Sequence, residues 1–319
     1  MKFSNVHNLP EAIVNAVSAY NYPPKEGRYS VTDLISPPQI RQLKMKFFDV
    51  LSEDVSERLW ALLGQACHAV LDKSKPVDAL AEEKLVVDFE GVTISGKSDL
   101  YHDGSLEDYK ITSTFSFLLS DKIEICECTK CGGCDMPPQR EARRNMNCPK
   151  CGEKMITKKI GCKKEWFFQL QVYAWLHTRL GMPVKELWIR AILRDWQGSK
   201  VKADPDYPKI SFQSVPVPLW TLDEQERYIR ARIEAHKALN PQCSNEERWL
   251  RASSWAVMKN DNKRAFRVFD NIEQAENLAK TDKSFTVIER KGSYNRCLSY
   301  CPVRAVCPQW QKEKELNYD

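Results

Sequence analysis

Two carboxylates and a lysine stand at spacings that could position and activate a water molecule. Asp99 and Asp108 flank the dipeptide Asp103-Gly104, and Lys110 follows Asp108 by two residues. An Asp-Gly pair is a strong signal for a two-residue type I′ hairpin turn. Pairing His102 with Ser105 across that turn puts Tyr101 opposite Leu106, Leu100 opposite Glu107 and Asp99 opposite Asp108. Directly opposed residues share a face, with Cβ atoms about 4.5–5.5 Å apart. Carboxylates held that close repel, so a cation between them is expected, and hard oxygen ligands favour Mg²⁺ or Mn²⁺. Lys110 points to the same face as Asp108 and could orient or deprotonate a water attacking phosphorus. The same register sets Lys97 against Lys110, which requires the strands to splay there or Lys97 to meet phosphate as well. Solvated charges on an edge hairpin are the alternative reading of these residues taken alone.

The second chemical signal is cysteine. The chain of 319 residues has twelve, seven between Cys126 and Cys162, three between Cys297 and Cys307, with Cys67 and Cys243 apart. In a reducing compartment metal ligation is the expected use of such clusters. Cys128-x-x-Cys131 and Cys148-x-x-Cys151, sixteen residues apart and each followed by Gly, have the spacing of a tetrahedral zinc ribbon. Cys126, Cys134 and Cys162 are either surplus thiols or part of another ligand set. Residues 121–164 hold eleven Lys/Arg against six Asp/Glu, equal to the whole chain's net charge of +5. A polyanionic partner is therefore expected, with Arg140, Arg143, Arg144, Lys158, Lys159, Lys163 and Lys164 placed to neutralise phosphates.

A third pattern is set aside. Residues 91–98, GVTISGKS, match the phosphate-binding loop G-x-x-x-x-G-K-[ST] letter for letter. Such a loop needs a helix beginning at its Lys-Ser, whose N-terminus holds the phosphates. Here Asp99 and the Asp-Gly turn follow at once, and Val92-Thr93-Ile94 favours a strand.

The elements that must position these residues follow from periodicity. Residues 10–20, 56–72 and 165–180 carry apolar residues at helical spacing, and 222–238 reads as a charged, exposed helix. Residues 84–90, 92–101, 106–111, 186–193 and 209–217 read as strands. Residues 240–247 look like a linker, and beyond it strands around 255–269 and 284–290 flank a helix at 272–279. The expected fold class is α/β: a mixed sheet flanked by helices, residues 1–239, carrying the zinc-ribbon insertion at 121–164, then a small α+β cysteine-rich appendage at 240–319. No stretch approaches the roughly 20 apolar residues a membrane span needs, and a cytoplasmic location, in a bacterial or phage-infected cell, is expected.

Taken together, Asp99, Asp108-Tyr109-Lys110 and the later Gln169-x-x-x-Tyr173 resemble the PD-(D/E)XK nuclease superfamily, specifically its RecB-like branch. Phage-type and CRISPR-associated stand-alone exonucleases are the most similar members. The resemblance runs from about residue 28 to 310, with the motifs confined to a small part of it. It implies a restriction-endonuclease-like fold and a Mg²⁺- or Mn²⁺-dependent deoxyribonuclease. It further implies that His68, Asp99, Asp108 and the Tyr109 carbonyl hold the metal, that Lys110 serves the nucleophile, and that Gln169 and Tyr173 contact substrate or brace the site. Gln169 and Tyr173 are four apart, hence on one helical face. The proline of the family's name is absent, Ser98 standing before Asp99.

Cys297-x₃-Cys301-x₅-Cys307 is similar to the three-cysteine cluster that ligates a [4Fe–4S] centre in RecB-like nucleases. The fourth ligand there usually lies in a stretch similar to residues 32–44, which here contain no cysteine. Cys243 is the best remaining candidate, and the group held is either [4Fe–4S] or a second zinc. The expected partner is single- or double-stranded DNA, in recombination, repair or phage DNA processing, with recombination or replication proteins as further partners. A nucleic-acid-binding scaffold without cleavage and a P-loop ATPase are the competing readings.

Overall fold

The computed structural model describes residues 1–19, 21–119, 122–131, 134–135, 147–148, 151–260 and 262–317. It is a mixed α/β structure. Its contacts divide into two units, Met1–Ser36 with Ser52–Lys237, and Pro37–Leu51 with Ala238–Asp319. The linear division expected near residue 239 therefore misses a segment, because 37–51 belongs with the C-terminal unit.

In the first unit the Asp103-Gly104 reversal forms as its chemistry dictates: both residues take positive φ, 49° and 85°, the requirement of a type I′ turn. The Leu100–His102 and Ser105–Thr112 strands pair in the expected register, Leu100 with Glu107, Tyr101 with Leu106 and His102 with Ser105. The Glu186–Leu193 strand runs parallel to Ser105–Thr112 and antiparallel to Phe212–Val217, completing a mixed four-stranded sheet. A second sheet holds Val92–Lys97 between Arg28–Ser30, parallel, and Lys84–Phe89, antiparallel.

One expected strand is two. Residues 92–101 break at Ser98-Asp99, where both residues hand their polar groups elsewhere. The Ser98 carbonyl accepts the Glu82 N–H at 3.0 Å, and the Ser98 hydroxyl bonds His177. Lys97 consequently pairs with Lys84 and not with Lys110. The GVTISGKS segment is a hairpin strand followed by another strand, which removes the phosphate-loop reading.

The Lys164–Arg179 helix is the centre of the core. Phe167, Leu170, Val172, Ala174, Trp175 and Leu176 have no exposed surface, and a helix buried on all sides is a core helix. It contacts strands of both sheets. Leu222–Lys237, expected to be an exposed helix, packs on the same core through Ile229 and Ile233, 0% and 2% exposed. Its i, i+4 apolar pair is enough to bury one stripe in an otherwise charged sequence.

The cysteine-rich insertion forms a three-stranded sheet in which Lys122–Cys128 pairs with Met155–Lys163 and with Cys134–Asp135. Arg140, Arg143 and Arg144 lie outside the described residues. In the second unit, Ser254–Lys259 is flanked antiparallel by Arg267–Phe269 and Phe285–Arg290, and Asn271 caps the Ile272–Ala279 helix by accepting the Glu273 N–H at 2.7 Å. Among the described residues no helix is long and apolar enough to cross a membrane.

Candidate functional site

The site grows from the strand break. Freed from the ladder, Asp99 turns Oδ2 to accept the Tyr109 N–H at 2.6 Å, a side chain taking a bond that backbone would otherwise make. Its Oδ1 lies 3.3 Å from His68 Nδ1, brought in by the Leu59–Lys73 helix. Glu82 Oε1 is 3.5 Å from the same nitrogen. His68, Glu82 and Asp99 each offer a ligand atom within 4.8 Å of the other two. The hydrogen bonds that His68 donates to Asp99, and then to Glu82, hold its proton and push its pKa up to about 10. The pocket favours positive charge.

Asp108 sits two residues before Lys110 on the inward face of its strand and is 1% exposed. Lys110 Nζ is 2.7 Å from Asp108 Oδ2, 3.0 Å from Oδ1, and donates to Gln169 Oε1 at 2.9 Å. Burial raises the Asp108 pKa, the Lys110 charge opposes that rise, and the Asp99 charge adds to it. Asp99 is not paired with Asp108 as the turn register predicts, because the ladder ends at Leu100–Glu107; the compact donor set is His68–Glu82–Asp99, while Asp108 is engaged by Lys110. Tyr173, 6% exposed, meets Gln169 through its hydroxyl at 3.5 Å. The Gln169-x-x-x-Tyr173 face thus braces Lys110 from the core helix.

Glu82 went unread in the sequence. It precedes a strand as one of two adjacent glutamates, and it faces inward because its backbone takes φ 53° and bonds Ser98, sixteen residues on. No local pattern encodes that.

In the insertion, the sulfurs of Cys128, Cys131, Cys148 and Cys151 lie within 4.8 Å of one another. Cys128–Cys151 is 3.4 Å, Cys131–Cys148 3.5 Å and Cys131–Cys151 3.7 Å. These separations are far beyond a disulfide and close to the roughly 3.8 Å edge of a tetrahedron with Zn–S bonds of about 2.3 Å. Backbone N–H groups of Cys131 and Lys130 lower the Cys128 pKa, favouring thiolate. The donor set fits a zinc ion. Cys162 is buried in the main core, where burial pushes its thiol up to about 12, so it is a packing residue. Cys126 is buried beside Cys128, Cys148 and Met155. The Cys134 side chain lies outside the described ones, as do those of Lys158 and Lys159. Lys163 donates to Ser116 Oγ at 2.7 Å.

In the second unit, Cys243, Cys297, Cys301 and Cys307 line one cavity. The loop bearing Cys243 is fastened by a double bond pattern with Gln309, which accepts the Cys243 N–H and donates to its carbonyl. Gln39 and Ile40, from the Pro38–Phe47 helix, line the same cavity, and Cys307 Sγ donates to Gln39 Oε1 at 3.8 Å. This N-terminal helix reaches the cysteines without supplying one. Among the described residues, no three of these four sulfurs gather as closely as the ribbon's four.

No protein-family model matches the chain, and no curated protein matches it significantly. Among solved structures, the crystal structure of SSO0001 is similar, with 16% sequence identity, a TM-score of 0.41, and coverage of 74% of this chain and 89% of that one. A likeness this loose assigns neither fold nor activity.

Proposed function

We propose that the chain is a divalent-cation-dependent deoxyribonuclease of the PD-(D/E)XK class, RecB-like branch, working as an exonuclease on a restriction-endonuclease-like core. One observation carries this reading: a single ammonium group, Lys110 Nζ, joins buried Asp108 to Gln169, beside an Asp99 that is already bonded to Tyr109 and His68. Residues from separate segments of the chain meet at one place, and that convergence is what supports the reading.

A Mg²⁺ or Mn²⁺ ion held by His68, Asp99 and Asp108 would supply charge for the scissile phosphate and acidify a bound water. The protein's own contribution is positional. Asp99 keeps its outer oxygen toward His68 because the inner one is committed to Tyr109. Gln169 fixes the Lys110 ammonium, which orients the attacking water and shares its proton with Asp108. Zinc in the Cys128–Cys131–Cys148–Cys151 ribbon is structural in this reading. A [4Fe–4S] cluster on Cys243, Cys297, Cys301 and Cys307 would pin the C-terminal unit's loops together.

The test is incubation of pure protein with linear single- and double-stranded DNA and Mn²⁺. Cleavage abolished by Asp108→Ala supports the enzyme. Binding without cleavage by the wild type would leave a nucleic-acid scaffold instead, and DNA-stimulated ATP hydrolysis sensitive to Lys97→Ala would restore the ATPase.

A further inference from the structure

Glu82 has no place in the motif by which the site was read, yet it stands in its cation-binding set. We infer that Glu82 is a direct ligand of a divalent cation, held in a three-point cradle with His68 Nδ1 and Asp99 Oδ1; this deepens the cation-dependent reading above and rests on it.

Three observations carry the assignment. First, the donor atoms are convergent: Glu82 Oε1 and Asp99 Oδ1 lie 3.5 and 3.3 Å from His68 Nδ1, and all three fall within 4.8 Å of one another. Ligands around a cation at about 2.0–2.2 Å lie about 3 Å apart, so a small inward movement, with the His68 Nδ1 proton released to solvent as the ion replaces it, closes the set. Second, the three come from separate elements, a helix, a loop and a strand break, each held by the main chain. Glu82 is presented through an N–H bond to Ser98 and a left-handed backbone at φ 53°, Asp99 through the Tyr109 N–H. Third, Asp108 is elsewhere engaged: its carboxylate is fully buried and paired with Lys110 at 2.7 Å. Asp99 has only one oxygen facing His68, so Glu82 supplies the second carboxylate oxygen beside that imidazole.

The ligand chemistry also has a consequence for metal choice. One imidazole with two carboxylates is a mixed N,O set that suits Mn²⁺, whereas Mg²⁺ prefers oxygen ligands and keeps its waters. The cradle accordingly selects Mn²⁺ over Mg²⁺.

Mn²⁺ binding to the full-length, zinc-loaded protein is measured by the loss of the free-ion electron paramagnetic resonance signal, for wild type, Glu82→Gln and Glu82→Asp, with DNA cleavage assayed in parallel. The expected result is Mn²⁺ affinity at least about tenfold weaker in Glu82→Gln, with partial recovery in Glu82→Asp. Circular dichroism melts of each variant separate this from misfolding. Unchanged Mn²⁺ affinity in a folded Glu82→Gln overturns the ligand assignment and leaves the nuclease reading standing. A wild type that binds no Mn²⁺ overturns both. Glu82-dependent Mn²⁺ binding without DNA cleavage keeps the cradle and removes the nuclease.

Discussion

The ring of Tyr173 lies so close over Gly96 that a Cβ at position 96 would come within 2.6 Å of Tyr173 Cε1, and within 2.7 Å of Val31 Cγ2. Gly96, the second glycine of the GVTISGKS segment, therefore serves side-chain packing between strand and core helix, not a phosphate. The same contact fixes the helix that carries Gln169, and through Gln169 the Lys110 ammonium.

Gly96→Ala is thus expected to destabilise the protein by about 1–3 kcal/mol, the usual cost of overpacking. Urea unfolding measures it. Tyr173→Leu should relieve part of the loss, so the double variant should be more stable than the sum of the single effects predicts. Strict additivity would sink the contact as the cause.

Asp108 and Lys110 make a second prediction. Burial raises the Asp108 pKa, so its charge costs the folded state free energy at neutral pH, a cost that fades as pH falls and the carboxyl protonates. Asp108→Asn should therefore abolish cleavage while raising stability without added Mg²⁺ or Mn²⁺, by about 1 kcal/mol. Lys110→Met does the reverse. It leaves a buried carboxylate without its counter-ion, a change that costs about 3–5 kcal/mol, and the double variant should recover most of that. Thermal melts at pH 7 of the four proteins close the cycle, and a destabilised Asp108→Asn would contradict it.

The difference between what could and could not be read from the sequence is one of range. Asp103-Gly104 specifies its own turn because both residues tolerate positive φ, and the register from His102–Ser105 to Leu100–Glu107 follows without reference to the rest of the chain. The ribbon cysteines are legible for the same reason, each pair meeting within one knuckle. The break at Ser98-Asp99 is not, because it depends on His177 and Glu82 taking the polar groups that a continuous strand would have used. Nor is the membership of residues 37–51 in the C-terminal unit, in which Gln39 reaches Cys307, 268 positions later. The Leu222–Lys237 helix was misread as exposed because its charge outnumbers its stripe, though Ile229 and Ile233 alone suffice to bury one face.

Metal analysis of the purified protein should find zinc at the ribbon, and Cys148→Ser should remove it. With one sulfur gone the remaining three cannot close a structural four-coordinate site. Zinc content unchanged in Cys148→Ser would place the metal elsewhere.

The C-terminal cavity predicts colour. If its four cysteines hold a [4Fe–4S] cluster, anaerobically purified protein absorbs near roughly 400 nm, and Cys243→Ala bleaches that band while leaving ribbon zinc in place. A colourless protein with a second zinc lost in Cys243→Ala would assign the cavity to zinc despite the wider spacing of its sulfurs.

His177 gives the last prediction, on acid stability. It is 1% exposed, its Nε2 is 2.8 Å from Ser98 Oγ, its ring stacks on Tyr101 at 4.5 Å, and its Nδ1 is buried with no hydrogen-bond partner. Burial pushes its pKa down to about 4 from 6.5. The unfolded chain therefore takes up a proton below pH 6.5 that the folded site refuses until about pH 4, so this group lowers stability progressively as pH falls through that window and has no effect above it. The full effect is about 3 kcal/mol. His177→Phe keeps the stack on Tyr101 and cannot titrate. It should cost about 1 kcal/mol at pH 8 through the lost Ser98 bond, and then lose stability less steeply than wild type on acidification. Urea unfolding of both proteins at intervals from pH 8 to pH 4 gives the comparison, and parallel curves would show that His177 is protonated within the fold.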